Sequence, residues 1–184
     1  DDDCAIGRYE CGQSSPPNGS FIDISAGSSH TCGIRLNRTV ECWGSDSYGQ
    51  SSPPNGSFVD ISSGSYHTCG IKIDGTVKCW GAGTTNDDCK WPDYECGQSS
   101  PLDGAFISVS SGGRHTCGIY PNGTVECWGN NADGRVNDAP SGSYSSLYTG
   151  YAHSCVLDQN GRASCWGKNN FQQSSGIPDV LFAS

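Results

Sequence analysis

The sequence predicts an all-β protein built from repeated hairpins that disulfides staple. Three observations predict it. Twelve cysteines fall in a duplicated pattern: Cys4, Cys11, Cys32 and Cys42 recur 85 residues later as Cys89, Cys96, Cys117 and Cys127, and Cys69 and Cys79 recur 86 residues later as Cys155 and Cys165. Four segments carry the pattern His-x-Cys…Cys-Trp-Gly, at 30–44, 67–81, 115–129 and 153–167. Ahead of three of them, SFIDIS, SFVDIS and AFISVS alternate apolar and polar residues over a short run, the signature of a strand. The organisation that follows is a single repeat domain over 1–184: double units 1–85 and 86–170, then a terminal strand segment 171–184. A chain made of copies of one module presents a surface or assembles more readily than it builds one asymmetric catalytic centre.

Within a module the elements follow in order. The alternating strand runs into a Gly-rich bend: Ala26-Gly27, Ser63-Gly64, Ser111-Gly112 and Thr149-Gly150. The hairpin comes next. For Cys117 to face Cys127 the loop must centre on Asn122, as the three-residue loop Pro121-Asn122-Gly123, which takes a type I turn and then a left-handed residue. Gly75, Gly123 and Gly161 stand at that third position; the first copy has Arg38 there, at a strain cost of about 1 kcal/mol. Directly opposed residues are within disulfide reach, so Cys32–Cys42, Cys69–Cys79, Cys117–Cys127 and Cys155–Cys165 each close within one hairpin. Cys4–Cys11 and Cys89–Cys96 form small loops inserted in alternate modules. A Gln-Ser-Ser segment precedes the strand, at Gln13, Gln50, Gln98 and Gln173, with a degenerate copy around Asp138 to Ser143.

Composition narrows the function. Only 34% of residues are hydrophobic and methionine is absent, which suits a disulfide scaffold from an oxidising compartment better than a large aliphatic core. No Cys-x-x-Cys occurs, and spacings of seven and ten residues are poor for zinc. Sequons at Asn18, Asn37, Asn55 and Asn122 point to a secreted glycoprotein. Asp1 opens the sequence without a leader pattern, which reads as a mature or processed form. No apolar run reaches the length of a membrane span. A net charge of −9 argues against nucleic acid.

The string G-x-x-H-T-C-x-[IL]-x-x-[DN]-G-T-V-x-C-W-G, followed by Gly-Gln, resembles the repeats of the regulator of chromosome condensation superfamily. The Cys-bearing version is similar to its secreted branch, which includes crinkly-type receptor kinase ectodomains; a bacterial β-lactamase inhibitor protein belongs to the same superfamily. The resemblance implies β-propeller blades of four antiparallel strands, usually seven to a ring. This chain carries four hairpins, with an outer segment (12–17) at one end and a lone inner strand (179–184) at the other, which read as two pieces of one blade whose hairpin is missing. A smaller ring, a longer protein, or completion by neighbouring chains each accounts for that; completion by neighbours is favoured, because an unpaired strand templates addition.

Candidate residues follow. His30, His67, His115 and His153 recur at one position and read as structural, each bonding backbone within its own module. Trp43, Trp80, Trp128 and Trp166 read as packing on the disulfides, with a sugar platform as the alternative. Trp91 and Tyr94, in the inserted loop, and Asp179, Val180, Leu181 and Phe182, in the terminal strand, are candidate contacts. Asp1, Asp2, Asp3, Asp87 and Asp88 offer oxygens to calcium without a complete loop pattern, so a solvated acidic turn is the simpler reading and no cofactor is expected. No Ser/His/Asp set stands out, so no enzyme is expected. The function expected is a secreted, glycosylated structural or adhesive protein that self-assembles or binds other extracellular proteins. The alternative is a lectin or a protein inhibitor acting through a propeller face.

Overall fold

The structure is a computed structural model that describes residues 11–85 and 96–175. Strands β1 (Phe21–Ala26), β2 (His30–Arg35) and β3 (Val40–Gly44) form the first antiparallel sheet. The second holds β4 (Phe58–Ser63), β5 (His67–Lys72) and β6 (Val77–Gly81). The third holds β7 (Ser108–Ser111), β8 (His115–Ile119) and β9 (Val125–Gly129), and the fourth β10 (Tyr144–Thr149), β11 (His153–Asp158) and β12 (Ala163–Gly167). These are four blades of a propeller type, set in chain order in an open array with the inner strands β1, β4, β7 and β10 side by side.

The hairpins form as the spacing requires. Cys32 pairs with Cys42, Cys69 with Cys79, Cys117 with Cys127 and Cys155 with Cys165 in register. All four pairs are disulfides with Cα atoms 4.0 Å apart. The third loop residue is left-handed in every copy, φ 69° at Arg38 against 83°, 84° and 75° at Gly75, Gly123 and Gly161. That turn aims its carbonyl at the next blade. Arg38 O accepts Phe58 N–H (2.9 Å), Gly75 O accepts Phe106 N–H (2.8 Å) and Gly123 O accepts Tyr144 N–H (2.9 Å).

Two expectations need correction. The resemblance implies four-stranded blades, yet each described blade has three strands. The Gln-Ser-Ser segment is a turn rather than an outer strand. Ser15 N–H bonds Gly12 O (2.9 Å), Ser52 N–H bonds Gly49 O (3.2 Å) and Ser100 N–H bonds Gly97 O (3.0 Å), and the prolines that follow lack the N–H a ladder needs. Nor is segment 12–17 a stray piece of an incomplete blade. Its Gln13 carbonyl binds Trp43 and Thr31, so it belongs to the first blade as Gln50 belongs to the second.

The core lies between blades. Each disulfide faces forward, toward the next blade, while the Trp and inner-strand aromatic face backward. Cys32, Ile34, Phe58, Ile61 and Trp80 form the first cluster. Cys69, Ile71, Cys79, Phe106, Val109 and Trp128 form the second, and Cys117, Ile119, Cys127, Leu147, Val156 and Trp166 the third. Glycine in the middle strand makes room for the aromatic: a Cβ on Gly70 or Gly118 would lie 2.7 or 2.5 Å from the Cδ1 of Phe58 or Phe106. The fourth blade has Val156 at that position, fully buried, and its Tyr144 is only half-buried. Gly118→Val should therefore overpack the third blade and cost about 1–3 kcal/mol, read from the urea midpoint. An unchanged midpoint would mean that Phe106 can swing outward without loss.

Candidate functional site

The repeated feature with the most chemistry in it is the joint between blades. At the first joint the Gln50 main-chain oxygen accepts the Trp80 indole N–H (3.0 Å) and the Thr68 hydroxyl (3.4 Å). The same hydroxyl lies 2.7 Å from His30 Nε2 of the preceding blade. With its one proton assigned to the Gln50 carbonyl, the hydroxyl accepts from the imidazole, the tautomer with hydrogen on Nε2. The second joint repeats this with the Gln98 oxygen, Trp128 (2.9 Å), Thr116 (3.1 Å) and His67 (2.8 Å). At the third, His115 Nε2 is 2.8 Å from Ser154 Oγ, and Trp166 donates to the Arg135 oxygen at 3.0 Å.

The histidines are thus structural, but their partner is not the one expected. Each of these three bonds a hydroxyl of the next blade rather than backbone within its own. The repeated His-Thr or His-Ser dipeptide was the available signal: alternation along a strand puts the imidazole on the forward face and the hydroxyl on the backward face. The Gly bend ahead of each histidine is required by the ring itself, since a Cβ at Gly27, Gly64, Gly112 or Gly150 would sit 2.4–2.6 Å from the imidazole Cε1. The degenerate Gln-Ser-Ser copy is also displaced from expectation. Arg135, not the stretch 138–143, supplies the carbonyl, and Gly134 before it is left-handed (φ 72°) like Gly12, Gly49 and Gly97 (73°, 79° and 73°).

A second set of bonds ties the inner strands. Ser25, Ser62 and Ser110 hydroxyls accept the N–H groups of Ser63, Ser111 and Thr149 at 2.8, 2.8 and 3.0 Å. The Gly bends meet at one end, where Ser28 N–H bonds Gly64 O and Ser65 N–H bonds Gly112 O. They line an open hollow of about 310 Å³ with Tyr151 at its far side.

The ends of the array expose what the joints bury. On the backward face of the first blade Ile24 is 57% exposed, while its equivalents Ile61, Val109 and Leu147 are 5–6% exposed. Trp43 and Phe21 are half-buried there, with the Arg35 guanidinium 4.1 Å over the Phe21 ring. On the forward face of the fourth blade His153, Cys155 and Leu157 are half-buried, where His30, Cys32 and Ile34 are fully buried.

The remaining expectations divide cleanly. Trp80, Trp128 and Trp166 are buried with their N–H groups engaged, so these three present no open ring face to a sugar, while Trp43 is half-buried. Asn18, Asn37, Asn55 and Asn122 are exposed, and all four lie at the hairpin-tip end of the blades, opposite the Gly bends. Asn37 and Asn122 each accept the N–H and hydroxyl of the sequon threonine. Cys11 and Cys96 are disulfide-bonded. Cys4, Cys89, Trp91, Tyr94, Asp179, Val180, Leu181, Phe182, Asp1, Asp2, Asp3, Asp87 and Asp88 lie outside the described residues. Among the described residues no three His, Cys, Asp or Glu side chains gather as a metal site, and no helix is long and apolar enough to cross a membrane.

Burial holds the joint imidazoles neutral. His30 and His115 are pushed down to about 4, and His67 to about 3, by loss of water first. The nearby Asp46 charge pulls His30 the other way; competition with the His115 and His30 imidazoles for a proton pushes His67 down further, and Arg135 and His153 act on His115 in the same direction. These values lie below the unfolded value of 6.5, so as pH falls the unfolded chain takes up protons first. The contribution is complete above pH 6.5 and is lost as pH falls from there toward 4, at up to about 1.4 kcal/mol per pH unit for each imidazole. Urea midpoints at pH 7.5, 6.5 and 5.5 should fall in that order, and less steeply in His67→Gln. A flat profile would refute the buried neutral histidines.

Comparison with known proteins places this architecture. The pattern "Regulator of chromosome condensation (RCC1) repeat" matches residues 21–50, 58–86, 106–135 and 144–173, more than half of the chain. No curated protein matches it. Among solved structures, the ectodomain of the Physcomitrella patens receptor kinase CR4 is similar with a TM-score of 0.74 and 26% identity, over 93% of this chain and 47% of that one. The CRINKLY WD40 ectodomain of Arabidopsis thaliana ACR4 gives 0.58 and 27%, over 78% and 48%. Yeast RCC1 (Prp20), in its structure with Kap60, gives 0.67 and 16%, over 92% and 50%, a likeness of fold alone. This chain spans about half the length of each. Four matched repeats, each coinciding with a blade, establish that the chain belongs to the regulator of chromosome condensation (RCC1) repeat family.

Proposed function

We propose that this chain is a secreted, glycosylated structural module that binds other extracellular protein chains, copies of itself first among them, through its end blades. The observation that carries the reading is the 57% exposure of Ile24 at a position otherwise 5–6% exposed. An aliphatic group, an indole and a phenyl ring left together at the edge of a repeated joint form an apolar patch suited to a protein partner. Two facts support the compartment. Four hairpin disulfides among the described residues suit an oxidising environment, and the similarity to receptor kinase ectodomains points the same way. Exposed sequons confined to the hairpin-tip end would put sugar along one edge and leave the end blades bare. The family fold is compatible with protein binding, as the yeast RCC1 complex with Kap60 illustrates for that protein.

Light scattering on the native, non-reduced chain tests the reading. Particles of several chains are expected, against 19.3 kDa for one polypeptide. Ile24→Glu should return them to single chains while leaving the thermal midpoint nearly unchanged, because an exposed position contributes little to the fold. A monodisperse monomer at high concentration would sink the self-association reading. Peptide-N-glycosidase treatment should lower the mass of the secreted form.

A further inference from the structure

The turn that follows the fourth blade repeats four hydrogen bonds of the turn that follows the first, with Lys168 in place of the Ser45 that binds the Gln50 amide. In the first, Gly49 N–H bonds Asp46 O (3.0 Å), Ser52 N–H bonds Gly49 O (3.2 Å), Ser51 N–H bonds Asp46 Oδ1 (2.8 Å) and Tyr48 N–H bonds Gln50 Oε1 (2.8 Å). In the second, Gln172 N–H bonds Asn169 O (3.1 Å), Ser175 N–H bonds Gln172 O (3.3 Å), Ser174 N–H bonds Asn169 Oδ1 (2.9 Å) and Phe171 N–H bonds Gln173 Oε1 (2.8 Å). Gln172 keeps the left-handed backbone (φ 61°) without being glycine. The first turn exists to hold the Gln50 carbonyl against Trp80 and Thr68. The Gln173 carbonyl receives neither an indole nor a threonine hydroxyl among the described residues.

We propose that a second copy supplies the hairpin this turn is shaped for. Strands β2 and β3 of the neighbour dock on the forward face of the fourth blade, and the Gln173 carbonyl accepts the neighbour's Trp43 indole and Thr31 hydroxyl. Within the free chain those two groups bond the Gln13 carbonyl at 2.8 and 2.9 Å. The exchange replaces one Gln-Ser-Ser carbonyl by another, so the Trp43 and Thr31 donors keep an acceptor while the Gln13 carbonyl gives them up and its segment moves aside. What is gained is burial of Ile24, Phe21 and Trp43 against Leu157 and the Cys155–Cys165 disulfide. His153 then meets the Thr31 hydroxyl, and the Gly161 carbonyl meets the Phe21 N–H, as their equivalents do at each internal joint. One internal tie is not reproduced: Tyr148, 61% exposed, stands where Ser25, Ser62 and Ser110 accept an inner-strand N–H. The new joint is therefore looser at its inner edge. Because the two faces differ, each joined pair keeps one free face of each kind, and the contact can repeat.

This placement rests on the self-association reading and is tested separately from it. In the first turn the Tyr48 ring lies edge-on to Tyr66, centroids 5.5 Å apart, and Ser29 occupies the Tyr66 position in the first blade. Phe171, 88% exposed, is replaced by p-benzoylphenylalanine in the full chain, and isotopically light and heavy copies are mixed, assembled and irradiated. The expected product joins residue 171 of one copy to the 28–31 region of a copy with the other label. Assembled particles whose cross-links fall elsewhere, or only within one chain, would overturn the placement and leave self-association standing. Single chains with no mixed-label product would overturn both.

Discussion

One main-chain carbonyl organises each blade. The residue at the glutamine position has no strand to belong to, yet its oxygen collects the indole N–H of one strand and the hydroxyl of another at 2.8–3.4 Å. A carbonyl has two lone pairs, and this geometry fills both. The hydroxyl is then left with an accepting side only, which at the internal joints the preceding blade's imidazole meets. Remove the carbonyl from its place and two buried donors, the indole and the hydroxyl, lose their acceptor, each at a cost of roughly 1–3 kcal/mol. Geometry elsewhere serves this point: a left-handed residue positions the carbonyl, and glycine bends bring the imidazole close.

The apolar part of each joint is thin, and the disulfides fit that thinness. A disulfide on the forward face of a hairpin is a flat apolar element that fixes two strands while presenting little bulk. It lets the Phe and Trp of the next blade approach over a glycine. Closing a hairpin only 10 residues apart in sequence restrains the unfolded chain less than a long-range bridge would. The staples therefore act where the aliphatic content is too low for hairpins to hold alone, and long-range order falls to the polar ties between blades. Those ties connect neighbours only, so stability accumulates joint by joint.

What could be read from the sequence was local. Cysteine spacing, glycine at the third loop position and the alternating runs gave the strands, the loop geometry and four of the disulfide pairings; even the strained Arg38 was legible from its place in the repeat. What could not be read was non-local or masked by substitution. The histidine partners sit 38–49 residues away, and nothing in one module announces a hydroxyl in the next. Arg135 was hidden because the carbonyl that matters belongs to the backbone, so the side chain was free to change; the glycine before it was the surviving mark. The outer-strand expectation failed because the family pattern does not weigh the prolines and the side-chain-locked turn of this chain.

The fourth blade separates the two kinds of constraint. On its backward face Val156 replaces glycine and Tyr144 replaces phenylalanine, and the changes compensate: the valine fills the space and the tyrosine moves out, its hydroxyl reaching Ser141 O at 3.2 Å. A joint that must be buried tolerates substitution only in such matched pairs. On its forward face Tyr148 replaces a serine with no matching change, because no described blade packs there. The imidazole, the disulfide and the Gln173 turn persist on that same face, although nothing within the described chain uses them. A face relaxed at one position and retained at the others is what a joint with a less demanding partner would leave.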